Sequence, residues 1–419
     1  MITNRTDAAS LTPDDVRTVQ RRTVWVLSIG QVLGGLAFGA TLSLGAVLAA
    51  ELSGDEAFSG LAAASVTLGT AVLAVPLAAF ARRAGRRLSL AAGMAIALVG
   101  VAGVVTAVGS DSFPLLLAAF LLIGGGQAAN LQSRFAAVDL ATDTSRGRDL
   151  SIVVWATTIG AVLGPNLTGP GEMLGDAVGM PPLTGPYLFT IVGQSLGILL
   201  YLFTLRPDPL LTAQRVVAAG QGTQAAAAIV KPDRPRIARY AIFAVAAAHG
   251  VMVSVMAMTP VHLLHHGADL TIIGVTISLH VLGMYALSPV FGILSDRIGR
   301  VQTILLGQGL LVAALLTASF GQDSTAAVTV GLMLLGLGWS ASTVAGSALL
   351  TEASSEQMRT KRQGISDFTM SIVGAGGAIR AGVVLGGIGY GGLALVVGIA
   401  VIAVAALSPL ARATAPSRG

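Results

Sequence analysis

The chain has 419 residues, of which 54% are hydrophobic and 11% are charged, and its mean hydropathy is +0.80. Because a soluble domain carries about 25% charged residues, this composition excludes a soluble protein and predicts many membrane-spanning helices. The absence of cysteine excludes disulfides, thiolate nucleophiles and cysteine-ligated metal sites. The isoelectric point of about 10.1 requires no nucleic-acid partner if the basic residues lie in cytoplasmic loops.

The chain begins with a polar segment, residues 1–22, which contains three aspartates and no apolar run. We predict a cytoplasmic tail here, since a signal peptide needs an apolar core of about 7–15 residues. A spanning helix needs about 20 apolar residues. Apolar runs predict twelve such helices, at about 24–51, 57–81, 88–109, 114–140, 150–169, 187–205, 238–264, 271–295, 301–320, 325–350, 364–389 and 391–410.

A polar stretch separates the sixth run from the seventh. From Arg206 to Arg239 it holds five arginines, one lysine and four prolines. We therefore predict a cytoplasmic linker at 206–237, between a six-helix bundle at 23–205 and a second at 238–410. Residues 411–419 are predicted to form a cytoplasmic C-terminal tail.

The basic residues give the orientation. With a cytoplasmic N-terminus, 23 of the 25 lysines and arginines fall in inside segments and none falls in an outside loop. This asymmetry predicts a multi-pass protein of the plasma membrane with both termini in the cytoplasm. The two remaining basic residues, Arg134 and Arg380, lie within predicted helices.

The two halves of the sequence repeat one another. At an offset of 214 residues, Arg83, Gly85 and Arg86 match Arg297, Gly299 and Arg300. At an offset of 213, Asp139 falls on Glu352. Two six-helix bundles in parallel repeat are typical of transporters that bind substrate between the bundles and rock one against the other.

The segment Gly292-Ile-Leu-Ser-Asp296-Arg297-Ile-Gly299-Arg300 resembles the signature loop of the major facilitator superfamily, and the resemblance extends over essentially the whole chain. It implies an all-α membrane protein with twelve transmembrane helices in two pseudo-symmetric six-helix bundles, working as a monomer without a cofactor. Gly299 permits a tight turn. We expect Arg297 and Arg300 to hold that turn in the cytoplasm and to pair with Glu352.

Asp296 lies at the C-terminal end of its own helix, where the helix dipole disfavours an anion. The resemblance implies that it caps a helix start in the other half, near Arg148 and Asp149.

The N-terminal copy, from Ala78 to Arg87, departs from this pattern because Arg82 replaces the acidic residue. In the family, that acid is expected to latch onto the start of helix 11. We hypothesise that Arg82 and Asp367, in the first turn of helix 11, form the same latch with exchanged charges. The alternative interpretation is that Arg82 anchors this segment in the cytoplasm and that Asp367 interacts favourably with the N-terminal dipole of its own helix.

The fifth predicted helix contains Gly160-Ala-Val-Leu-Gly164-Pro165-Asn166-Leu-Thr168-Gly169. This run resembles the Gly-x-x-x-Gly-Pro element of the superfamily's antiporters. Glycines four residues apart allow close helix approach, and Pro165 favours a bend. Ordinary helix packing also explains the glycines; the added proline favours the resemblance and, with it, export.

A polar stripe on the fourth helix predicts the substrate cavity, since polar residues in membrane helices normally face a bundle interior or a water-filled space. Its members are Gln127, Asn130 and Arg134. Further candidates are Gln31, Asn166 and Trp339, although interhelical hydrogen bonding or packing explains Gln31 and Trp339 equally well.

The chain lacks a Gly-x-x-x-x-Gly-Lys nucleotide-binding motif, so ATP is not the expected energy source. We expect a proton or sodium gradient, with the proton as the coupling ion. Candidate proton carriers are Asp139, Asp367, His249 and His280. Each histidine is equally explained as a neutral residue hydrogen-bonded between helices. No metal site is predicted.

Arg380 lies thirteen residues after Asp367, on nearly the opposite face of the helix. It either snorkels towards the outer surface or binds an anionic substrate.

Taken together, these patterns predict a transporter, not an enzyme, that exports a small lipophilic or amphipathic compound in exchange for protons. The alternatives are proton-coupled uptake of a small metabolite and a transporter-shaped sensor.

Overall fold

A computed structural model describes residues 13–54, 58, 60–142, 144–219, 233–268 and 270–411. These residues form helices and connecting turns, and no strand occurs among them. The contacts divide the chain into two compact units. The first unit comprises Met1–Pro232 and Ser355–Phe368, and the second comprises Asp233–Ser354 and Thr369–Gly419.

Seven helices precede residue 220 and belong to the first unit. They are α1 (Pro13–Ser53), α2 (Gly60–Gly109), α3 (Phe113–Ala136), α4 (Arg146–Asn166), α5 (Thr168–Ala177), α6 (Tyr187–Thr204) and α7 (Pro209–Ala219).

The helices of the later part of the chain are α8 (Pro235–His265), α9 (Leu270–Tyr285), α10 (Ser288–Ile298), α11 (Arg300–Phe320), α12 (Thr325–Glu352) and α13 (Glu356–Ala406), followed by a short 3₁₀ turn (Ser408–Ala411). The first three turns of α13 belong to the first unit and the rest of the helix to the second.

Two glycines interrupt the longest helices. Gly85 in α2 has φ 86° and ψ 170°, and Gly389 in α13 has φ 73° and ψ 179°, a backbone region that is essentially restricted to glycine. Beyond the first break, the Ser89 hydroxyl donates to the Leu77 carbonyl at 2.7 Å, so the chain on either side of Gly85 packs together. The breaks fall where the sequence predicts the boundaries between two pairs of spanning helices.

The structure differs from the predicted elements at several places. The first helix begins at Pro13, inside the predicted N-terminal tail, and the run at 150–169 is divided into α4 and α5. The apolar run at 271–295 is not one helix, because it is divided into α9 and α10 just before Pro289, whose ring cannot continue a helical hydrogen-bond ladder. The predicted linker contains α7, and Asp208 caps this helix by accepting from the Leu210 and Leu211 amides at 3.0 and 3.1 Å. The rest of the linker up to residue 232 lies outside the described residues.

Apolar side chains form both the cores and much of the surface. Phe120 and Leu116 are wholly buried in the first unit, as is Leu311 in the second. Large apolar residues such as Phe320 (82% exposed) and Val383 (78% exposed) face outwards, which suits contact with lipid better than contact with water. Eight helices in the described part of the chain are long and apolar enough to cross a membrane.

Candidate functional site

The first unit contains an ion pair that is shut off from solvent. Arg134 Nη2 on α3 donates to Asp367 Oδ1 on α13 at 2.5 Å, and the two side chains are 3% and 0% exposed. Each charge would be very costly to bury alone, so the pair is stable only as a unit. The sequence singles out both residues but gives them separate roles. The structure makes them partners.

The polar stripe of α3 leads to this pair. Asn130, one turn before Arg134, is 9% exposed, and its carbonyl accepts from Gln31 Nε2 of α1 at 2.8 Å. Gly34 makes room for it, because a Cβ at that position would collide with the Asn130 amide. Gln127 is half-buried at the other end of the stripe. Gln31, Asn130 and Arg134 therefore belong to one polar region between helices.

A second buried ion pair lies at the glycine turn of α2. Arg86 donates from Nε and Nη2 to the two carboxylate oxygens of Asp139, at 2.8 and 3.2 Å, and both side chains are fully buried. The same Nη2 donates to Gln363 Oε1 on α13 at 2.6 Å. Burial raises the pKa of the Asp139 carboxyl above its ordinary value, and the charge of Arg86 opposes that rise.

Arg134 and Arg86 thus both donate hydrogen bonds to the first turns of α13. This part of α13 has a stripe of polar residues at helical spacing. Along it, Arg359 Nη1 donates to Glu356 Oε2 at 2.9 Å. The stripe consists of Glu356, Arg359, Gln363 and Asp367. Together with α2, α3 and the residues that follow α3, it assembles three basic and three acidic side chains, so the formal charges balance: Arg86, Arg134, Arg359, Asp139, Glu356 and Asp367.

Sequence reasoning missed Glu356, Arg359 and Gln363. The signal was present, because the i, i+3, i+7, i+11 spacing of the α13 stripe is of the kind that identifies the α3 stripe.

The hypothesised latch between Arg82 and Asp367 is wrong for this structure. Arg82 and its neighbour Arg83 are exposed, whereas Asp367 is fully buried against Arg134. The countercharge of Asp367 comes from Arg134 on α3, whereas the side chain of Arg82, on α2 three residues before the Gly85 break, is exposed.

The second copy of the glycine turn, in the second unit, forms the predicted pair. Gly299 has φ 105°, and Arg300 Nε donates to Glu352 Oε2 at 3.4 Å. Arg300 also bonds Asp296, four residues earlier, while Arg297 is exposed and Gly292 buried. The capping role of Asp296 towards the start of α4 stays a prediction.

The candidate residues of the second unit form neutral hydrogen bonds. Trp339 Nε1 on α12 donates to His249 Nδ1 on α8 at 3.1 Å, so a neutral His249 carries its proton on Nε2. Tyr285 packs edge-on against Trp339, with ring centroids 5.8 Å apart. His280 is wholly buried, and its Nδ1 lies 2.7 Å from the Leu332 carbonyl. These contacts favour the interhelical hydrogen-bonding interpretation for both histidines.

The remaining predictions concern the glycine motif of α4 and the position of Arg380 on α13. A Cβ at Gly160 would lie 2.6 Å from Gly35 Cα and 2.7 Å from the Val32 carbonyl oxygen, so this glycine permits close approach of α4 to α1. The side chains of Gly164, Pro165 and Asn166 lie outside the described part of the structure. Arg380 is exposed and Asp367 is buried, as expected for opposite faces of one helix.

Each unit is rich enough in apolar helices to span a membrane. Each also contains a glycine turn whose arginine bonds an acid near the end of a later helix. These features define the class of membrane transporters that are built by internal repetition. The chain belongs to the Major Facilitator Superfamily, whose sequence profile matches residues 27–274 and 240–418. The resemblance noted in the Gly292–Arg300 segment is confirmed. The protein is therefore an integral membrane protein of a family of secondary transporters for small molecules.

Two relatives and one solved structure give the range of similarity. The chain is 36% identical over 396 residues to the uncharacterized MFS-type transporter YdeG of Bacillus subtilis (strain 168), covering 92% of this chain and 91% of that protein. It is 32% identical over 365 residues to the riboflavin transporter RfnT of Brucella anthropi, covering 84% and 86%. The human organic anion transporter MFSD10 (TETRAN) shares the fold, with a TM-score of 0.75, 19% identity and coverage of 93% and 99%.

Proposed function

We propose that this protein exports a small lipophilic or amphipathic compound by alternating access, in exchange for protons, with Asp367 as the proton-carrying group. The observation that carries the proposal is the buried Arg134–Asp367 ion pair. Ionisable residues inside membrane helices are rare because they are costly, and they mark ion and substrate pathways.

The geometry of the pair suits a proton exchange. Asp367 uses Oδ1 for Arg134, and among the described residues its Oδ2 has no hydrogen-bond partner. A proton arriving at Oδ2 would neutralise the carboxylate and leave the Arg134 charge without its partner. Because an unpaired buried charge is strongly unfavourable, this state favours opening of the helices around Arg134 to water or substrate.

The topology in the proposal is a monomer with twelve spanning helices in two six-helix bundles, in a plasma membrane with cytoplasmic termini. The breaks at Gly85 and Gly389 support it, since they divide α2 and α13 into segments of spanning length. The confinement of nearly all basic residues to inside segments supports the orientation. The export direction is proposed from the resemblance of the Gly160–Pro165 run to the antiporter motif, and the close approach of Gly160 to α1 is compatible with it.

In the first unit, the proposed substrate cavity is lined by Gln31, Gln127, Asn130 and Arg134. Asn166 and Trp339 stay candidates from the sequence. Amide groups next to the Arg134 guanidinium suit the polar part of an amphipathic compound.

The second candidate function is uptake of a small metabolite by proton symport. One observation favours it: a relative that is 32% identical over most of the chain is named as a riboflavin transporter. In both functions Asp367 carries the proton, so the direction of transport needs its own measurement.

The test is retention of fluorescent lipophilic compounds in efflux-deficient cells, with and without a protonophore. We expect cells that express the protein to retain less of the compound than control cells. The protonophore and the Asp367→Asn substitution should each abolish this difference. The matched control is Asp323→Asn, which neutralises an aspartate that is 88% exposed. Protonophore-sensitive export that persists in the Asp367→Asn variant would refute the assigned role of Asp367.

Direction is measured in proteoliposomes under an imposed proton gradient, with riboflavin as the second probe. Accumulation of riboflavin in the direction of proton movement would establish symport and displace the export proposal. Movement of a lipophilic probe against the proton flow would support exchange.

A further inference from the structure

A groove in the second unit combines two positive charges with an apolar floor. It has a volume of about 340 Å³ and lies between the start of α8 and the 3₁₀ turn that follows α13. Its lining residues are Arg236, Arg239, Tyr240, Phe243, Leu407 and Leu410. The two arginines are exposed and stand one helical turn apart, on the same side of α8.

The floor of the groove is apolar over its whole length. Phe243, Leu407 and Leu410 are 38%, 41% and 56% exposed, so each offers apolar surface to a ligand that lies in the groove. The buried Tyr240 closes the floor, its hydroxyl donating to the Val404 carbonyl at 3.3 Å. Beyond the groove, Ile402 and Ile399 (66% and 68% exposed) extend the apolar surface along α13.

Within the described lining of the groove, the two positive charges meet no acidic side chain. No acidic residue is among the described residues that line the groove, and the first turn of α8 contains none. Cations near a helix N-terminus oppose the helix dipole, so these arginines are placed at a cost to the helix. The positive-inside rule asks only for arginines in the cytoplasm. It does not require two of them above an apolar groove.

We propose that this groove binds a phospholipid with an anionic head group. The phosphate is held by the guanidinium groups of Arg236 and Arg239, and an acyl chain lies over Phe243 and Leu407 towards Ile402. Basic pockets at the cytoplasmic side of membrane helices are known to bind anionic lipid head groups. The site is separate from the Arg134–Asp367 pair, and only its cytoplasmic location rests on the proposed topology.

The experiment is native mass spectrometry of the full-length purified protein with phosphatidylglycerol, with phosphatidylcholine, and with inorganic phosphate alone. We expect phosphatidylglycerol to bind more tightly than phosphatidylcholine. The double variant Arg236→Gln with Arg239→Gln should weaken that binding roughly thirtyfold, which corresponds to about 2 kcal/mol for two basic contacts.

Two further variants make the result specific. Arg21→Gln with Arg22→Gln removes another exposed arginine pair, on α1, and should leave phosphatidylglycerol binding unchanged. Arg236→Lys with Arg239→Lys keeps the charges and should retain most of the binding.

Equal binding of the two lipids, or equal loss in the α1 variant, would overturn the proposal. So would inorganic phosphate that competes fully with the lipid, because the site would then recognise a soluble anion. The measurement needs no transport, so its failure is distinct from failure of the proposed function.

Discussion

The two copies of the glycine turn, Gly85–Arg86 and Gly299–Arg300, have the same residue types but differ in the burial and hydrogen bonding of the arginine. Both arginines bond an acid near the end of a later helix of their own unit. In the first copy Arg86 and Asp139 are fully buried and joined by two hydrogen bonds. In the second copy the single contact of Arg300 with Glu352 is 3.4 Å long, and Glu352 is 33% exposed.

One sequence difference accompanies this contrast. The second copy keeps an acid, Asp296, four residues before its arginine, and Arg300 bonds it locally. The first copy has Arg82 at that place, so Arg86 has no local acid to bond. Its guanidinium instead reaches Gln363 at the start of α13, next to the buried Asp367. The first copy therefore has a long-range partner where the second has a local one, and this contact joins the start of α13 to α2.

The largest expected effect comes from exchanging charges within this network. Asp367→Arg should abolish transport and destabilise the protein, because it places a second buried cation against Arg134. Arg134→Asp combined with Asp367→Arg restores a buried pair, and we expect it to recover folding and part of the transport. The measurements are thermal unfolding in detergent and the efflux assay.

The control for that experiment is Arg82→Asp combined with Asp367→Arg. Arg82 is exposed and Arg134 is not changed, so the buried repulsion remains and we expect no recovery. Recovery in this variant, without recovery in the Arg134 exchange, would reinstate the latch between positions 82 and 367.

The next largest effect compares the two acids directly. Asp139→Asn removes the counter-charge that is hydrogen-bonded to the buried Arg86 and should reduce the free energy of unfolding by about 3–5 kcal/mol. Glu352→Gln acts on a partly exposed pair, and we expect a loss of about 1 kcal/mol or less. Chemical denaturation of both variants checks this order. Equal losses would mean that burial does not distinguish the two copies.

The sequence predicts the repeat and the local contacts well. The offset of 213 places Asp139 on Glu352, and the expected pair of Arg300 with Glu352 is present. The glycine breaks also follow, because a tight turn between apolar runs demands a residue that tolerates positive φ. All these features depend on neighbours in sequence or on a matching half.

The Arg134–Asp367 pair could not be derived in this way. Its members are 233 residues apart, and helical periodicity only fixes which residues share a face of one helix. Both residues could be recognised as buried charges in apolar helices, but the partner of each depends on how the helices pack. The α13 stripe from Glu356 to Asp367 could have been found from its spacing, and it would have restricted the choice.

The smallest expected effect concerns the glycines themselves. Gly85→Ala and Gly299→Ala both force an alanine into a backbone region that costs about 1–3 kcal/mol, so both should lower stability. The surroundings then decide which loses more. A Cβ at Gly299 would lie 2.5 Å from Oε1 of Gln302, an exposed side chain that is free to swing away.

A Cβ at Gly85 would instead collide with the Asp208 carboxylate, which cannot move freely. Asp208 accepts from the Arg87 amide at 2.8 Å and caps α7 through its other oxygen. We therefore expect Gly85→Ala to be the more destabilising by about 1 kcal/mol, roughly the value of one lost cap. Asp208→Ala should therefore lower the stability less in the Gly85→Ala background than in the wild-type chain. The reason is that removing the carboxylate removes the collision as well as the cap. Differential scanning fluorimetry on the four variants measures this coupling, and strict additivity would show that Asp208 does not hold the turn.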